Sequence, residues 1–354
     1  MMPEPQPEPR QDAQVAVIVV NYRTPELAIA CVRSLVTEQA DLPGLEVMLV
    51  DNASGDGSVE SMRAGLSDLI ESGFVTLLPL ALNGGFGWGN NQALLRLTAR
   101  AVPPEFVMLV NPDCEIERGA VRRLVDEMRL RPGAGVAGSQ LVNPDGSWSG
   151  CAFSFHGVAD EFARGTRTAA IGWLLGLKPM LASSADVTEV GWVAGAACLF
   201  RVAALAEAGL FDDGFFLYFE EVELMSRIKR AGWSIIHVPD SRVMHVGGAA
   251  TGVREGAPVV EKAMPLYWYQ SRRRYFTLVY GAVSAWAASL AWLAGDMVAV
   301  FLGLLLPKRR KNSQADRDQL RACGLRPTSQ DRQACIVRIG DPIDQPPAWM
   351  RFAK

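Results

Sequence analysis

Five clusters in this 354-residue chain carry residue types whose spacing suits chemistry on a phosphorylated ligand. Asp51 opens DNASGDGS (51–58), where a carboxylate precedes two glycines. Such a carboxylate can accept the ring N–H of a pyrimidine base; the same residues also make an ordinary turn and helix cap. In NGGFGWGNN (83–91), Gly84, Gly85, Gly87 and Gly89 let the backbone approach a ligand at a helix start, where free N–H groups favour phosphate. Simple packing is the competing reading. The spacing is not GxGxxG and does not follow the first strand, which disfavours a dinucleotide fold. NPDCE (111–115) places Asp113 to hold a divalent cation against a diphosphate, and a type I turn with proline at its second position uses the same residues. In FDDGFFLYFEEVELMSR (211–227), Asp212, Asp213, Glu220, Glu221 and Glu223 lie among aromatics that could raise a carboxylate pKa and shape a sugar pocket, as a general base requires. HVPDSRVMHVGG (237–248) offers His245 as a metal ligand or phosphate contact; His156 and His237 read as core histidines.

These clusters need elements to hold them. VAVIVV (15–20), LEVMLV (45–50), FVTLLPL (74–80) and FVMLV (106–110) are continuous apolar runs, the pattern of strands buried on both faces. Helical stretches at 25–36, 58–70, 87–101 and 119–130 alternate with them. Strand–helix alternation predicts a mostly parallel, Rossmann-like α/β sheet flanked by helices. Ligands in such sheets sit at the carboxyl ends of the strands, where Asn21, Asp51, Asn83, Asn111 and Asp113 collect. From about residue 132 the rhythm changes to short β-like pieces (134–142, 189–200), an irregular stretch (151–187), a helix at 218–231 and strands at 234–238 and 242–246. This half is expected to carry the second substrate, giving a nucleotide-binding half at 15–131 and an acceptor-binding half at 132–265.

Composition narrows the classes. The net charge is −3, so there is no basic excess to neutralise a nucleic-acid backbone. Six cysteines show no CxxC pair or Cys/His cluster, which argues against a zinc or disulfide scaffold. Residues 1–14 alternate proline with charge and read as a disordered lead-in without a secretory signal. Phe276–Leu306 is apolar except for Asp296, with Arg272–Arg274 before it and Lys308–Lys311 after it. Basic flanks on both sides suit two shorter helices that break at Gly295-Asp296 and dip into an anionic membrane surface within residues 266–311; a buried core helix pair is the alternative. The polar tail, 312–354, shows one strand-like piece, ACIVRI (334–339), and no evident chemistry.

From Val15 to Gly248 the clusters in order resemble family 2 glycosyltransferases of the GT-A fold, in the rhamnosyltransferase-like branch. The resemblance is carried by VVNY (19–22), DNASGDGS, Asn83 with GGFGWGNN, VNPD (110–113), GWVAGAACLFR (191–201), FDDGFFLYFEEVEL (211–224), AGW (231–233) and His245 with VGG. It implies an inverting, Mg²⁺- or Mn²⁺-dependent enzyme that moves a sugar from a nucleoside diphosphate, with dTDP-rhamnose as the branch's donor. The acceptor would be a glycan or a polyprenyl-diphosphate-linked glycan at the cytoplasmic face of the bacterial inner membrane. By the same resemblance Asn21, Tyr22, Asp51, Asn83, Gly85, Asn111 and Asp113 face the donor. Asp113 ends the metal-binding triad with His245 as a further metal contact, Trp192 and Asp212 lie on the acceptor side, and Glu221 is the base beside Glu220. Two departures stand out: the triad reads Asn111-Pro112-Asp113, and the usual Glu-Asp pair reads Glu220-Glu221. A sugar-phosphate nucleotidyltransferase and a non-catalytic membrane-tethered sugar- or nucleotide-binding protein are the alternative classes; VVNYRTPE (19–26) lacks the Gly-rich basic loop of the former.

Overall fold

The apolar run at residue 15 forms β1 (Val15–Asn21), buried along its whole length in the computed structural model of the chain, which describes residues 15–178, 180, 185–247, 264–305 and 314–352. β1 faces two cores. Val15, Val17 and Val19 enter one apolar cluster, while Ala16, Ile18 and Val20 enter the other, as the period-two alternation of a strand requires. β2 (Leu45–Asp51), β3 (Val75–Pro79) and β4 (Phe106–Val110) continue the parallel sheet, with β2 and β4 both pairing β1. The intervening helices are α1 (Pro25–Leu35), α2 (Ser58–Gly65), α3 (Ser67–Glu71) and α4 (Phe86–Thr98). The helix expected over 58–70 is thus two short ones that meet at Leu66.

After β4 come β5 (Cys114–Ile116), α5 (Ala120–Leu130) and β6 (Ala134–Val142). The start of α5 is capped from a distance: the buried Glu38 carboxylate accepts the Gly119, Val121 and Arg122 N–H groups, which satisfies donors a helix start leaves open. The stretch expected to be irregular holds β7 (Ala152–Phe153), α6 (Val158–Thr166) and α7 (Ala169–Leu174). Next are β8 (Thr188–Glu189), β9 (Trp192–Val193), β10 (Ala197–Arg201), α8 (Val202–Ala208), α9 (Glu220–Arg230) and β11 (Ser234–His245). The two strands expected at 234–246 are one strand whose register shifts between Val238 and Arg242. The main sheet runs β3-β2-β1-β4-β10-β6-β11-β5, so strands of both halves share one sheet. β10 is antiparallel to both β4 and β6, which makes the sheet mixed where the second half joins.

The apolar block differs from expectation in two respects. It forms α10 (Leu266–Tyr280) and α11 (Ala282–Leu305), and the break falls at Gly281, whose φ is +88°. Gly295 and Asp296 lie inside α11. A Cβ on Gly295 would meet the Phe162 carbonyl at 2.2 Å, and one on Gly165 would meet the Trp292 carbonyl at 2.3 Å. The two glycines therefore let α6 and α11 touch, and Asp296 is buried beside Arg167 and Arg317. Secondly, Arg272, Arg273 and Arg274 do not form a headgroup-facing cluster. Each pairs with a carboxylate of the protein: Glu161 at 2.6 Å, Asp331 at 2.7 Å and Asp212 at 2.6 Å. Lys308–Lys311 and the lead-in lie outside the described residues. Ala282–Leu304 is long and apolar enough to cross a membrane, with 33 % of its most apolar window buried in the protein.

The tail is not a strand at 334–339 either; only Ile336 bridges, to Asp212. The tail instead straps both halves of the domain. Cys335 N–H donates to the Asp212 carboxylate, Leu210 N–H to the Val337 carbonyl, Trp88 Nε1 to the Gln345 carbonyl and Trp349 Nε1 to the Gly84 carbonyl.

Candidate active site

The carboxyl ends of β1, β2 and β4 present Asn21, Asp51 and Asn111 side by side, since Asn21 pairs with Asp51 in the parallel register. Asn21 Nδ2 donates to Asp51 Oδ1 at 2.9 Å, and its Oδ1 accepts from the Thr24 N–H and hydroxyl. Asp51 also accepts the Ser54 hydroxyl at 2.6 Å and the Ser54 N–H at 3.0 Å. Buried and multiply hydrogen-bonded, Asp51 fixes the shape of the 51–58 loop. Tyr22 is half-buried beneath the Arg23 guanidinium, 5.1 Å from its ring centre.

Asn52 links this loop to the next, and sequence reasoning passed over it. Its Nδ2 donates to Asn83 Oδ1 at 3.0 Å and to the Gly85 carbonyl at 3.1 Å, while Asn83 Oδ1 also accepts the Gly85 N–H. Its Oδ1 is buried with no hydrogen-bond partner among the described residues. A second asparagine in an Asp-Asn-Ala-Ser run was the available signal. The glycines that follow are filled by protein. Gly85 has φ +94° and a Cβ there would sit 1.8 Å from the Phe216 carbonyl oxygen; at Gly84 it would strike Trp88, and at Gly87 it would press on Phe211. Close packing against protein accounts for glycine at these positions.

Asn111 N–H donates to the Ala196 carbonyl at 2.9 Å, tying the Asn111–Asp113 turn to the segment that leads into β10. Antiparallel pairing of β5 with β11 sets His245 opposite Cys114, and the Val246 N–H donates to the Asp113 carbonyl. His245 Nε2 lies 3.2 Å from Asp113 Oδ1. An oxygen and an imidazole nitrogen that converge in this way fit a divalent cation that shares its shell with phosphate. Cys114 lies in the same group, but its thiol donates to the Ala196 carbonyl, and burial pushes its pKa well up.

On the other side of the same segment stands the acid pair. Tyr218 and Phe219 adopt φ +70° and +67°, turning the chain sharply into α9, so Glu220 and Glu221 open that helix. Glu220 is buried, with Oε2 unpartnered among the described residues. Burial first, and then the charge of Glu221, hold its pKa well above the carboxylate range. Glu221 is half-buried, and burial raises its pKa against the pull of its own and Val222's backbone N–H groups. A Cβ on Gly195 would lie 3.5 Å from Glu221 Cβ and Cγ. Gly195 and Ala196 therefore separate the acid pair from the Asn111–Asp113 turn. Glu223 instead pairs with Arg227 at 2.9 Å inside α9.

The two residues expected on the acceptor side behave differently. Trp192 is buried, donates Nε1 to the Ser154 carbonyl and stacks on Phe153 at 4.3 Å. His156 lies edge-on to it at 5.6 Å and to Phe219 at 6.5 Å, so Trp192 belongs to an aromatic wall that reaches the acid pair. Asp212 does not line the site. It is buried on Arg274, and it accepts the Gly214 and Cys335 N–H groups, a structural knot that joins the 211–219 loop, α10 and the tail. Its neighbour Asp213 accepts from Asn91 Nδ2 at 2.9 Å.

A mixed sheet with polar strand ends, an acid–imidazole pair on one side of β10's approach and an acid pair, Glu220 buried and Glu221 half-buried, on the other is the arrangement expected of a GT-A glycosyltransferase. Residues 12–257 match the family described as "Glycosyltransferase like family 2", and the chain belongs to that family. It is similar, at 26 % identity over 294 residues (79 % of this chain and 88 % of the relative), to an N-acetylglucosaminyl-diphospho-decaprenol L-rhamnosyltransferase of Mycobacterium tuberculosis strain H37Rv. Among solved structures it resembles GalNAc-T7 with UDP, GalNAc and Mn²⁺ at TM-score 0.54 and 14 % identity; the match covers 89 % of this chain but 55 % of that longer one. The mannosyltransferase PcManGT of Pyrobaculum calidifontis, in complex with GDP-Man and Mn²⁺, matches at TM-score 0.51 and 16 % identity, over 92 % of this chain and 84 % of that one. The protein is a glycosyltransferase, and the sequence-level resemblance to the rhamnosyltransferase-like branch holds.

Proposed function

We propose that the chain moves rhamnose from dTDP-rhamnose to a hydroxyl of a diphospho-lipid-linked glycan, inverting the anomeric centre in one displacement. The observation that carries this reading is the division of labour within Glu220–Glu221. Burial raises the pKa of both carboxyls, and Glu220 is the more deeply buried. Glu221, which reaches solvent, is then the group that ionises and accepts the acceptor's proton as the hydroxyl oxygen attacks the anomeric carbon. The C–O bond to the diphosphate breaks on the opposite face, and no covalent sugar–enzyme intermediate forms. Asn21, Tyr22, Asp51, Asn83, Gly85 and Asn111 shape the donor side through the two linked loops. Asp113 and His245 would hold Mg²⁺ or Mn²⁺, which supplies positive charge against the leaving diphosphate.

The donor sugar and the lipid-linked acceptor rest on the mycobacterial relative and the branch resemblance. Action at a membrane rests on the polyprenyl-linked substrate in that relative's name together with α11, which exposes Val283, Trp286, Met297 and Phe301, and the cytoplasmic face on the branch resemblance alone. The test is Glu221→Gln in the purified full chain, followed by nucleoside diphosphate release and product analysis. Loss of a general base costs about 10²–10⁴ in rate, so turnover falls by that factor while dTDP affinity is retained. Wild-type turnover in this variant would reject the base, and absence of release from the unaltered chain would favour a non-catalytic binding protein.

A further inference from the structure

We propose that Arg164 and His156, set among Trp192, Phe219 and Trp268, form the subsite that takes the acceptor's diphosphate. The inference rests on the transferase reading above and says which residues recognise the acceptor's anionic link. It begins at Phe219, the residue before the acid pair. Two aromatic contacts lead outward from it: to His156 at 6.5 Å, and to Trp268 of α10 at 5.4 Å. Trp268 in turn carries the Arg164 guanidinium, 4.8 Å from its ring centre. An imidazole and a guanidinium thus flank one aromatic wall: His156 lies directly against the residue that precedes Glu220, and Arg164 is one ring removed from it.

The charges around this wall leave Arg164 as the outward cation. Arg272, its side chain 1 % exposed, places Nε and Nη2 on Glu161 Oε2 at 2.9 and 2.6 Å. Arg164 Nη2 meets the same oxygen at 2.7 Å, but its side chain is 42 % exposed. Asp160, the other carboxylate near His156, accepts the Gly157 N–H at the start of α6. One carboxylate oxygen therefore serves two guanidiniums, of which only Arg164 reaches solvent. A planar guanidinium spread on an aromatic face keeps N–H groups in a fork that matches phosphate oxygens. His156, held neutral by burial, adds a single N–H donor. The parts of an amphiphilic acceptor find surfaces beyond these: the sugar lies toward Glu221, and α6 runs on into α7, which exposes Trp173 and Leu174.

The experiment titrates geranyl diphosphate, and geraniol as the uncharged control, into the full chain in EDTA by calorimetry. EDTA removes any metal that could hold a diphosphate at Asp113 and His245. The unaltered chain is expected to bind the diphosphate and not the alcohol. Arg164→Ala weakens binding at least tenfold, Arg164→Lys falls between, His156→Ala weakens it several-fold, and Asp113→Ala has no effect. Arg164 is half-exposed, so circular dichroism should show an unchanged fold. No binding by the unaltered chain, full affinity in Arg164→Ala, or loss of binding in Asp113→Ala alone would overturn the subsite; the last would put the diphosphate in the donor site. Nucleoside diphosphate release is measured separately. Its absence alongside Arg164-dependent binding would sink the transferase reading and not the subsite.

Discussion

Asp213 gives the structure a pH dependence of calculable size. Its carboxyl is buried between the glycine-rich helix α4 and the tail strap. Burial, with the charge of Asp212 adding to it and the Asn91 hydrogen bond opposing, raises its pKa from 3.8 to about 7. Between those values the folded protein holds a proton that the unfolded chain has released, so stability is greatest below the lower value and falls as pH rises through the window. A rise of about 3 units at 1.36 kcal/mol each amounts to about 4 kcal/mol, fully lost above about pH 7. Asp213→Asn keeps an acceptor for Asn91 and cannot ionise. Its stability relative to the unaltered protein should therefore climb by about 4 kcal/mol from about pH 4 to about pH 8. Urea unfolding of both proteins across that range measures the difference, in which contributions of the other carboxyls cancel. A difference that does not change with pH would refute the assignment. The same burial has a functional edge, because the Asp213 N–H donates to the Cys335 carbonyl and its carbonyl accepts the Trp349 N–H. The same segment of tail holds Gly84 through Trp349 Nε1.

How far the sequence foretold this depends on whether a feature is local. β1, β2 and β4 were legible because a strand buried on both faces is an unbroken apolar run, and their polar ends followed from the parallel topology. Asp113 with His245, and Glu220 with Glu221, were legible as residue types in a family order. The unequal burial of Glu220 and Glu221 was not, because two neighbouring glutamates look alike in a string. The arginine triplet shows the opposite failure. Beside an apolar block Arg272–Arg274 read as a membrane flank, yet their partners Glu161, Asp331 and Asp212 lie 111, 58 and 62 residues away in sequence. Pairing at that range leaves no local trace. Gly295 was misread for a related reason: a glycine in an apolar helix breaks it or lets another helix approach, and only the presence of Gly165 opposite decides between the two. Gly84–Gly89 divide likewise between ligand and packing, and Phe216, Trp88 and Phe211 occupy the space. The polar tail escaped notice because its partners are distant in sequence: backbone carbonyls, tryptophan N–H groups and the ion pairs of Asp331 with Arg273 and Asp344 with Arg96 leave no local pattern.

Two further substitutions test the packing that positions the site. Gly85→Ala forces a side chain into a φ of +94° and onto the Phe216 carbonyl; the dihedral alone costs about 1–3 kcal/mol, so urea midpoints and dTDP affinity should both drop, and unaltered values would show that the loop is not packed there. Arg272→Met tests whether α10 belongs to the catalytic domain or to a lipid surface. Removing one member of a buried pair costs about 3–5 kcal/mol because the other charge is left uncompensated; Arg164 also reaches Glu161, so a loss near the lower end is expected. Neutralising the acid as well, in Arg272→Met with Glu161→Gln, should recover part of that loss, since no buried charge then lacks its partner. Binding to vesicles that contain anionic lipid should be the same for the unaltered protein and the double variant, because the Arg272 guanidinium is directed at Glu161 and Ser289. Full stability in Arg272→Met together with weakened vesicle binding would mean that this arginine faces lipid, and that α10 and α11 leave the catalytic domain when the protein meets a membrane.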